Sequence, residues 1–497
     1  MNANRKSQFL IGWASRDVTP NRPVLLYGQY HARISEGVLD PITVTALAME
    51  STHDGRSAET IMVSCDCVGI SESLLAAVRK LLHVSLPDVD SQNICLNATH
   101  THTAPDFSAV DPQSIGSLPP GTGLSRKELG ILEREEYAAF AAGRIAEAIT
   151  EAWQKRTPGG ISFGLGHAVV GHNRRVAYFN GETRMYGKTD DPQFSHIEGG
   201  VDHSLNLLCT WTPERKLTGV IVNLACPSQV SESLYQVSAD YWHETRLELR
   251  RRLGDKLFIL PQCSAAGDIS PHVQVGKPAE ERMLQLRGRT QRQDIAVRIA
   301  DAVTASLPAI EKEVDWNPPL VHRVETMELP MRMLNEQDVS EALAEAEKFR
   351  IQYEALKKNL AAHPEQMKKP RWYVEITESY CSMLWNQGVE RRYHSQKTKP
   401  TQTVGIHVIR IGTMVVATNP FEYYLDFGMQ IKARSKAVQT FLVQLAGDGA
   451  ASYLPTIRAT VGRSYGALPA STPIGPEGGR LLAQRTVEII AELLQET

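Results

Sequence analysis

Short runs of apolar residues, separated by turns, dominate the first part of the chain. FLIGWA, ITVTALAM (Ile42 to Met49) and TIMVSC (Thr60 to Cys65) each have strand length and β-branched content, and no polar face interrupts them. That pattern predicts strands joined by turns. After Asp66 the period changes. Ser71 is placed to cap a helix whose Leu74, Leu75, Val78, Leu81 and Leu82 share a face, and ICLNA then returns to strand.

The same alternation continues. Phe107 to Arg134 is rich in Pro, Gly and Ser without a period, and reads either as a lid or as a plain connection. A helix is expected from Glu136 to Trp153, with Phe140, Ile145 and Ile149 inward. Strand patterns follow at Gly160 to Arg175, Val201 to Trp211, Gly219 to Val230 and Leu257 to His272, with helical spacing resuming near Asp240. Asn335 to Ala362 and a second stretch reaching about Gln387 form a charged helical insertion over roughly 335–390. TVGIHVIRIGTMVVATNPFEYY and FLVQLAG are strands again, and Pro476 to Glu496 is a closing amphipathic helix. No internal repeat or low-complexity tract is visible. The fold class expected is α/β, with mixed β-sheets flanked by helices.

Composition narrows the function classes. With 42% hydrophobic and 22% charged residues the chain belongs with soluble globular proteins. Fifty-three basic against 56 acidic residues leave a formal charge of -3, so nothing in the balance points to nucleic acid or an anionic membrane. The N-terminal apolar patch is too short for a signal-peptide core, and no run approaches the roughly 18 apolar residues of a membrane span. A cytoplasmic location is therefore expected. The seven cysteines (65, 67, 95, 209, 226, 263, 381) lie mostly in apolar runs, where reduced thiols are expected.

Chemistry concentrates at strand ends. NATHTHTAPD places His100 and His102 two residues apart after a buried strand, on one face if the backbone stays extended. Imidazole is both the commonest metal ligand and the natural acid/base near neutral pH. Asp268 and His272 end the strand of LFILPQCSAAGDISPH in the same way. Polar groups at strand ends are where open α/β sheets bind ligands. Asp66 and Asp268 read as a second cation site or, preferably, as caps of the turns that follow.

Several of these stretches, in order and spacing, resemble the catalytic domain of the neutral (non-lysosomal) ceramidases, which are zinc-dependent amidases. The resemblance runs from DVTP (Asp17 to Pro20) to the final helix. HTHTAPD resembles the family's HTHS-G-P segment, which implies a zinc ligand at His100 and a catalytic histidine at His102. GHNRR resembles the N-R-S segment and implies that Arg174 lies beside the substrate carbonyl. AAGDISPH matches the GD-[IM]-SP element around Asp268. NPFEYYLDFGMQIK implies a zinc-binding Glu422, six residues before Gly428. YLPT implies a tyrosine ligand at Tyr453, and the family's second tyrosine, twelve residues on, falls at Tyr465.

One ligand departs from the pattern. Counting fourteen residues back from Asp240, the position of the family's second zinc histidine falls on Cys226, in ACPS. Either the Cys226 thiolate or His243, three residues past Asp240, would complete a four-coordinate site. What the resemblance implies is a Zn2+-dependent hydrolase of an N-acyl amide, ceramide-like or smaller, in which His102, Arg174 and Tyr465 serve catalysis. A metal-dependent esterase or lactonase, or a catalytically silent ligand-binding relative, are the alternatives. The expected organisation is a single catalytic domain over 1–497 without the C-terminal immunoglobulin-like domain of many family members. The expected partner is a small or lipid-like N-acyl molecule.

Overall fold

The computed structural model describes residues 8–53, 56–108, 118–447 and 452–495. Three four-stranded sheets form its frame. The first contains β1 (Gln8–Asp17), β2 (Thr43–His53), β3 (Arg56–Cys65) and β4 (Ile94–Ala98), extended at the β1 edge by the two-residue strand Thr157–Pro158. The second contains β5 (Gly160–His167), β6 (Ser204–Trp211), β7 (Leu217–Leu224) and β8 (Phe258–Cys263). The third contains β9 (Leu320–Pro330), β10 (Thr401–Ile411), β11 (Met414–Thr418) and β12 (Gln439–Val443).

Each sheet repeats one plan. Strands lie in chain order, the first two pairings are antiparallel and the third is parallel. A parallel pairing needs a crossover. The helices α1 (Glu72–Ser85), α3 (Tyr241–Leu253) and α8 (Leu425–Arg434) supply it, and α2 (Arg134–Gln154), α5 (Gln291–Ile310) and α9 (Pro476–Gln495) close the units. The remaining helices of eight or more residues are α4 (Lys277–Arg287), α6 (Glu336–Ala362) and α7 (Val374–Ser395). The structure thus repeats where the sequence shows no repeat, because the plan needs only a pattern of apolar runs and crossovers, not matching residues.

The inner faces of all three sheets share one core, to which Leu47, Met62, Leu208, Leu260, Ile409 and Phe441 contribute. Each outer face is covered by its own pair of closing and crossover helices. Burial on both faces is why the strands read as continuous apolar runs. The fourth strands meet centrally: Gln444 N donates to Cys263 O, Ala98 N to Leu445 O, and Asn97 Nδ2 to Pro261 O.

Most expected elements are present. Ser71 Oγ accepts from Leu74 N at the start of α1. Phe140 and Leu81 depart from expectation: each is 43% exposed, at the margin of its helix's apolar face. The region 273–334 carried no expected element, yet it holds α4, α5 and β9. The signal for α5 was a Thr290…Gln293 capping box, which the structure forms in full. Residues 109–117 of the expected lid or connection lie outside the described residues, and Leu124 and Ile131 from its later part pack with Tyr353, Leu360 and Tyr373 of the helical insertion. No described helix is long and apolar enough to cross a membrane.

Candidate active site

With strands running up, down, up, up, one edge of each sheet collects the first-to-second connection and the segments after the third and fourth strands. The three units deliver these segments to one centre. From the first unit come Gly28, Tyr30 and Arg33 between β1 and β2, Val68 after β3, and His100 and His102 after β4. The second supplies Arg174 and Tyr186 between β5 and β6, Gln229 and Glu232 after β7, and Gly267 after β8. The third supplies Trp385 in α7, Glu422 after β11, and Tyr453 and Tyr465 after β12. Glu422–Tyr423 pairs in parallel with Tyr453–Leu454.

The two histidines converge, though not through an extended backbone. Strand β4 ends at Ala98, and His100 adopts a left-handed conformation with φ of 64°. Thr101 and Thr103 hold the turn by donating their hydroxyls to Ser238 O at 2.9 and 3.0 Å. The rings meet edge to face, with their Nε2 atoms 3.3 Å apart.

His100 Nδ1 lies 2.6 Å from Val68 O, and a carbonyl only accepts, so the ring proton sits on Nδ1. Its other ring nitrogen, Nε2, faces Glu422 Oε2 at 3.5 Å. Burial by itself would raise the Glu422 carboxyl, but His100, Arg174 and the Tyr453 hydroxyl together draw it below its ordinary value. Burial and the Glu422 charge push the Tyr453 hydroxyl well up.

Arg174, 3% exposed, donates from Nη1 to Tyr186 Oη and Gln229 Oε1, each at 3.2 Å. Its Nη2 donates to Gly267 O at 3.0 Å and Tyr453 Oη at 3.3 Å, and lies 3.9 Å from Glu422 Oε2. Because a guanidinium only donates, the Gln229 oxygen must face it and the amide nitrogen must face His102 Nε2, 2.8 Å away. His102 therefore accepts at Nε2 and carries its proton on Nδ1, 3.9 Å from Glu232 Oε2. Burial first, and then the neighbouring His100, Arg33 and Arg174, hold His102 well below the ordinary histidine value, and the ring is neutral. Gly28, at φ of 106°, presses on this ring: a Cβ there would stand 2.6 Å from His102 Cγ.

Aromatic rings wall the site. The Tyr465 ring lies 5.4 Å from Tyr453 and 6.0 Å from both Tyr30 and Trp385, so the helical insertion reaches the site through Trp385. Burial and Glu422 raise the Tyr465 hydroxyl. At the mouth, His272 Nε2 donates to Gln229 O at 2.9 Å and lies 3.7 Å from Glu232 Oε1.

His100, His102, Arg174, Glu422, Tyr453 and Tyr465 thus come together. Among the described residues neither Cys226 nor His243 makes a hydrogen bond or ion pair with these six side chains. The Cys226 thiol is turned to Pro227 O at 3.5 Å, and burial pushes it well above the ordinary thiol value. His243 stands in the first turn of α3, its backbone N donating to Asp240 O at 3.0 Å. Among the described residues no group of three or more His, Cys, Asp or Glu side chains is placed to hold a metal. Asp66 is structural: it accepts two hydrogen bonds from Arg246, at 2.8 and 3.0 Å, and one from Thr43 N. Asp268 accepts from Leu425 N and Asn173 Nδ2, both at 2.8 Å.

Sequence reasoning missed Gln229, Glu232, Tyr30, Tyr186 and Trp385. For Gln229 and Glu232 a signal existed, since they follow the buried run that ends at Cys226, the same strand-end logic that singled out Asp268 and His272.

The chain is similar in structure to a neutral ceramidase from Pseudomonas aeruginosa, with a TM-score of 0.67 and 16% identity over 98% of this chain and 74% of that one. It is similarly matched to a structure described as ceramidase complexed with C2, with a TM-score of 0.68 and 16% identity over 98% of this chain and 75% of that one. No family model matches, and no curated protein does. The chain has a neutral-ceramidase-like α/β fold. At this identity the likeness speaks for the fold, and the site must speak for the chemistry.

Proposed function

We propose that the chain is a hydrolase of N-acyl amide bonds, acting on a ceramide-like or smaller substrate with the help of zinc. The observation that carries this reading is the meeting of a neutral His102 and a buried Arg174 beside the His100–Glu422 pair.

Whether zinc suits these residues is a question about donors. His100 donates its Nδ1 proton to a carbonyl and turns its other nitrogen to a carboxylate oxygen 3.5 Å away. A cation held there would take both the imidazole nitrogen and the carboxylate as ligands, and a backbone carbonyl on Nδ1 is the usual support of a ligating histidine. Glu422, with Tyr453 hydrogen-bonded to it, completes a set of three donors. His100, Glu422 and Tyr453 would hold the ion, with Cys226 and His243 outside the set. When bound, zinc would polarise the acyl carbonyl and acidify the attacking water.

The chain's own groups do the rest. Arg174 offers charged donors to the carbonyl oxygen as negative charge develops there, and Tyr465 offers a hydroxyl. His102 Nε2 accepts the proton released in the attack and returns it to the leaving nitrogen. Glu232, facing Nδ1, stabilises the imidazolium formed between the two transfers.

Elemental analysis of protein purified without added metal tests this, together with hydrolysis of N-acyl amides and matched esters. Near-stoichiometric zinc with amide cleavage supports the reading. Ester cleavage alone would favour the esterase alternative. The Cys226 thiol, hydrogen-bonded to Pro227 O, favours a second reading, a metal-free ligand-binding relative; protein that takes up no zinc even when supplied and cleaves neither substrate would establish it.

A further inference from the structure

We infer that the side-chain carboxamide of Gln229 occupies the place of the substrate's amide, and that an N-acyl amide enters by displacing it. The inference rests on the reading of the site as one for amides. Gln229 is 1% exposed. Its Oε1 accepts from Arg174 Nη1 at 3.2 Å and its Nε2 donates to His102 Nε2 at 2.8 Å. A carboxamide thus lies with its oxygen on the guanidinium and its nitrogen on the imidazole, the two contacts that amide hydrolysis asks of these residues.

The backbone of this segment is held by hydrogen bonds, and among the described residues the side chain makes no other hydrogen bond. Gln229 N donates to Pro227 O at 3.0 Å, Gln229 O accepts from His272 Nε2 at 2.9 Å, and Ser231 N donates to Asp240 Oδ2 at 2.6 Å. Only side-chain torsions need change for Gln229 to leave.

Two consequences follow. While Gln229 donates to His102 Nε2, that lone pair is committed and cannot take a proton, so the site is at rest until a ligand replaces the glutamine. A replacing ligand must also restore both contacts, an acceptor for Arg174 and an N–H for His102. Primary and secondary amides do so. An ester offers only the acceptor and leaves a buried nitrogen unpaired. Gln229 is therefore a specificity residue that sets the entry condition in favour of amides.

The test is binding, which needs no turnover. Propionamide, with methyl propionate as the matched ester, is titrated by NMR into the wild type, Gln229→Ala and Gln229→Ala/Arg174→Met. Removing the internal competitor should tighten propionamide at least roughly tenfold, because the apparent Kd is the intrinsic one divided by the open fraction of the site. The gain should be smaller for the ester and absent without Arg174. Equal binding by wild type and Gln229→Ala, an equal gain for the ester, or a gain that survives loss of Arg174 would each overturn the proposal. If Gln229→Ala lacks a cooperative melt, Gln229→Ser is read in its place. The wild type gives an independent reading through a crystal structure with an N-acyl amide bound. Gln229 must then have left Arg174 and His102, and an amide bound with Gln229 still between them refutes the inference. Tightened amide binding without hydrolysis would leave this inference standing and remove the hydrolase reading; hydrolysis without tightened binding would do the reverse.

Discussion

His322 and His407 stand to each other much as His100 and His102 do. Their nitrogens are 2.9 Å apart and their rings 5.1 Å apart, in a diagonal contact across β9 and β10, where His322 pairs with Ile409 and His407 with Val324. Burial holds His322 well below the ordinary histidine value, as it does His102. The surroundings differ. In the sheet, Ile406, Val408 and Ile409 are buried beside His407, and its backbone N donates to Thr418 Oγ1. At the strand ends, the pair faces a carboxylate, a guanidinium and a carboxamide. A histidine pair by itself carries no chemistry; what each ring nitrogen faces decides it.

The sharpest way to break this contrast is to remove the carboxylate side of the site pair. Glu422→Gln and His100→Ala should lose zinc and turnover together, while Cys226→Ser and His243→Ala should keep near-stoichiometric zinc by elemental analysis. Metal lost from Cys226→Ser would show that the thiol turns in when the ion binds.

His102→Ala should lower kcat by roughly 10²–10⁴-fold with metal retained, the usual contribution of a general acid/base. His322→Gln should leave kcat unchanged. Loss of metal from His102→Ala would mean that the two histidines do not divide the work as described. Arg174→Met should cost about 100-fold in kcat, in keeping with roughly 3 kcal/mol for a preorganised donor to a developing oxyanion. An effect confined to KM would make it a binding residue only.

The smallest effect belongs to the structural pair. A histidine whose folded pKa is lowered binds fewer protons in the native state than in the unfolded one, so stability falls as pH drops below the ordinary value near 6.5. Each pH unit in that window costs up to about 1.4 kcal/mol for His322. Denaturant midpoints at pH 7 and pH 5.5 should therefore differ less in His322→Gln than in the wild type.

Much of the fold was legible because strands buried on both faces are written as unbroken apolar runs. Helix α5 and strand β9 escaped despite a capping box, since β9 alternates on a half-exposed face and breaks that rule. The resemblance drawn from HTHTAPD, GHNRR, NPFEYY and YLPT named six residues that the structure gathers. It left the fourth ligand open between Cys226 and His243, because spacing along the chain does not say which way a side chain turns.

The sequence by itself determined the strand and crossover order and the polar residues at strand ends, since those follow from local period, capping and turn chemistry. Only the tertiary structure decided that three units of the same plan would pack their sheets on one core and bring their strand ends to one point. It also decided that His100 would reach Glu422 through a left-handed turn, and that Gln229 would join Arg174 to His102. These contacts join residues as far as 322 positions apart, and they depend on sheet-to-sheet packing that no local pattern records.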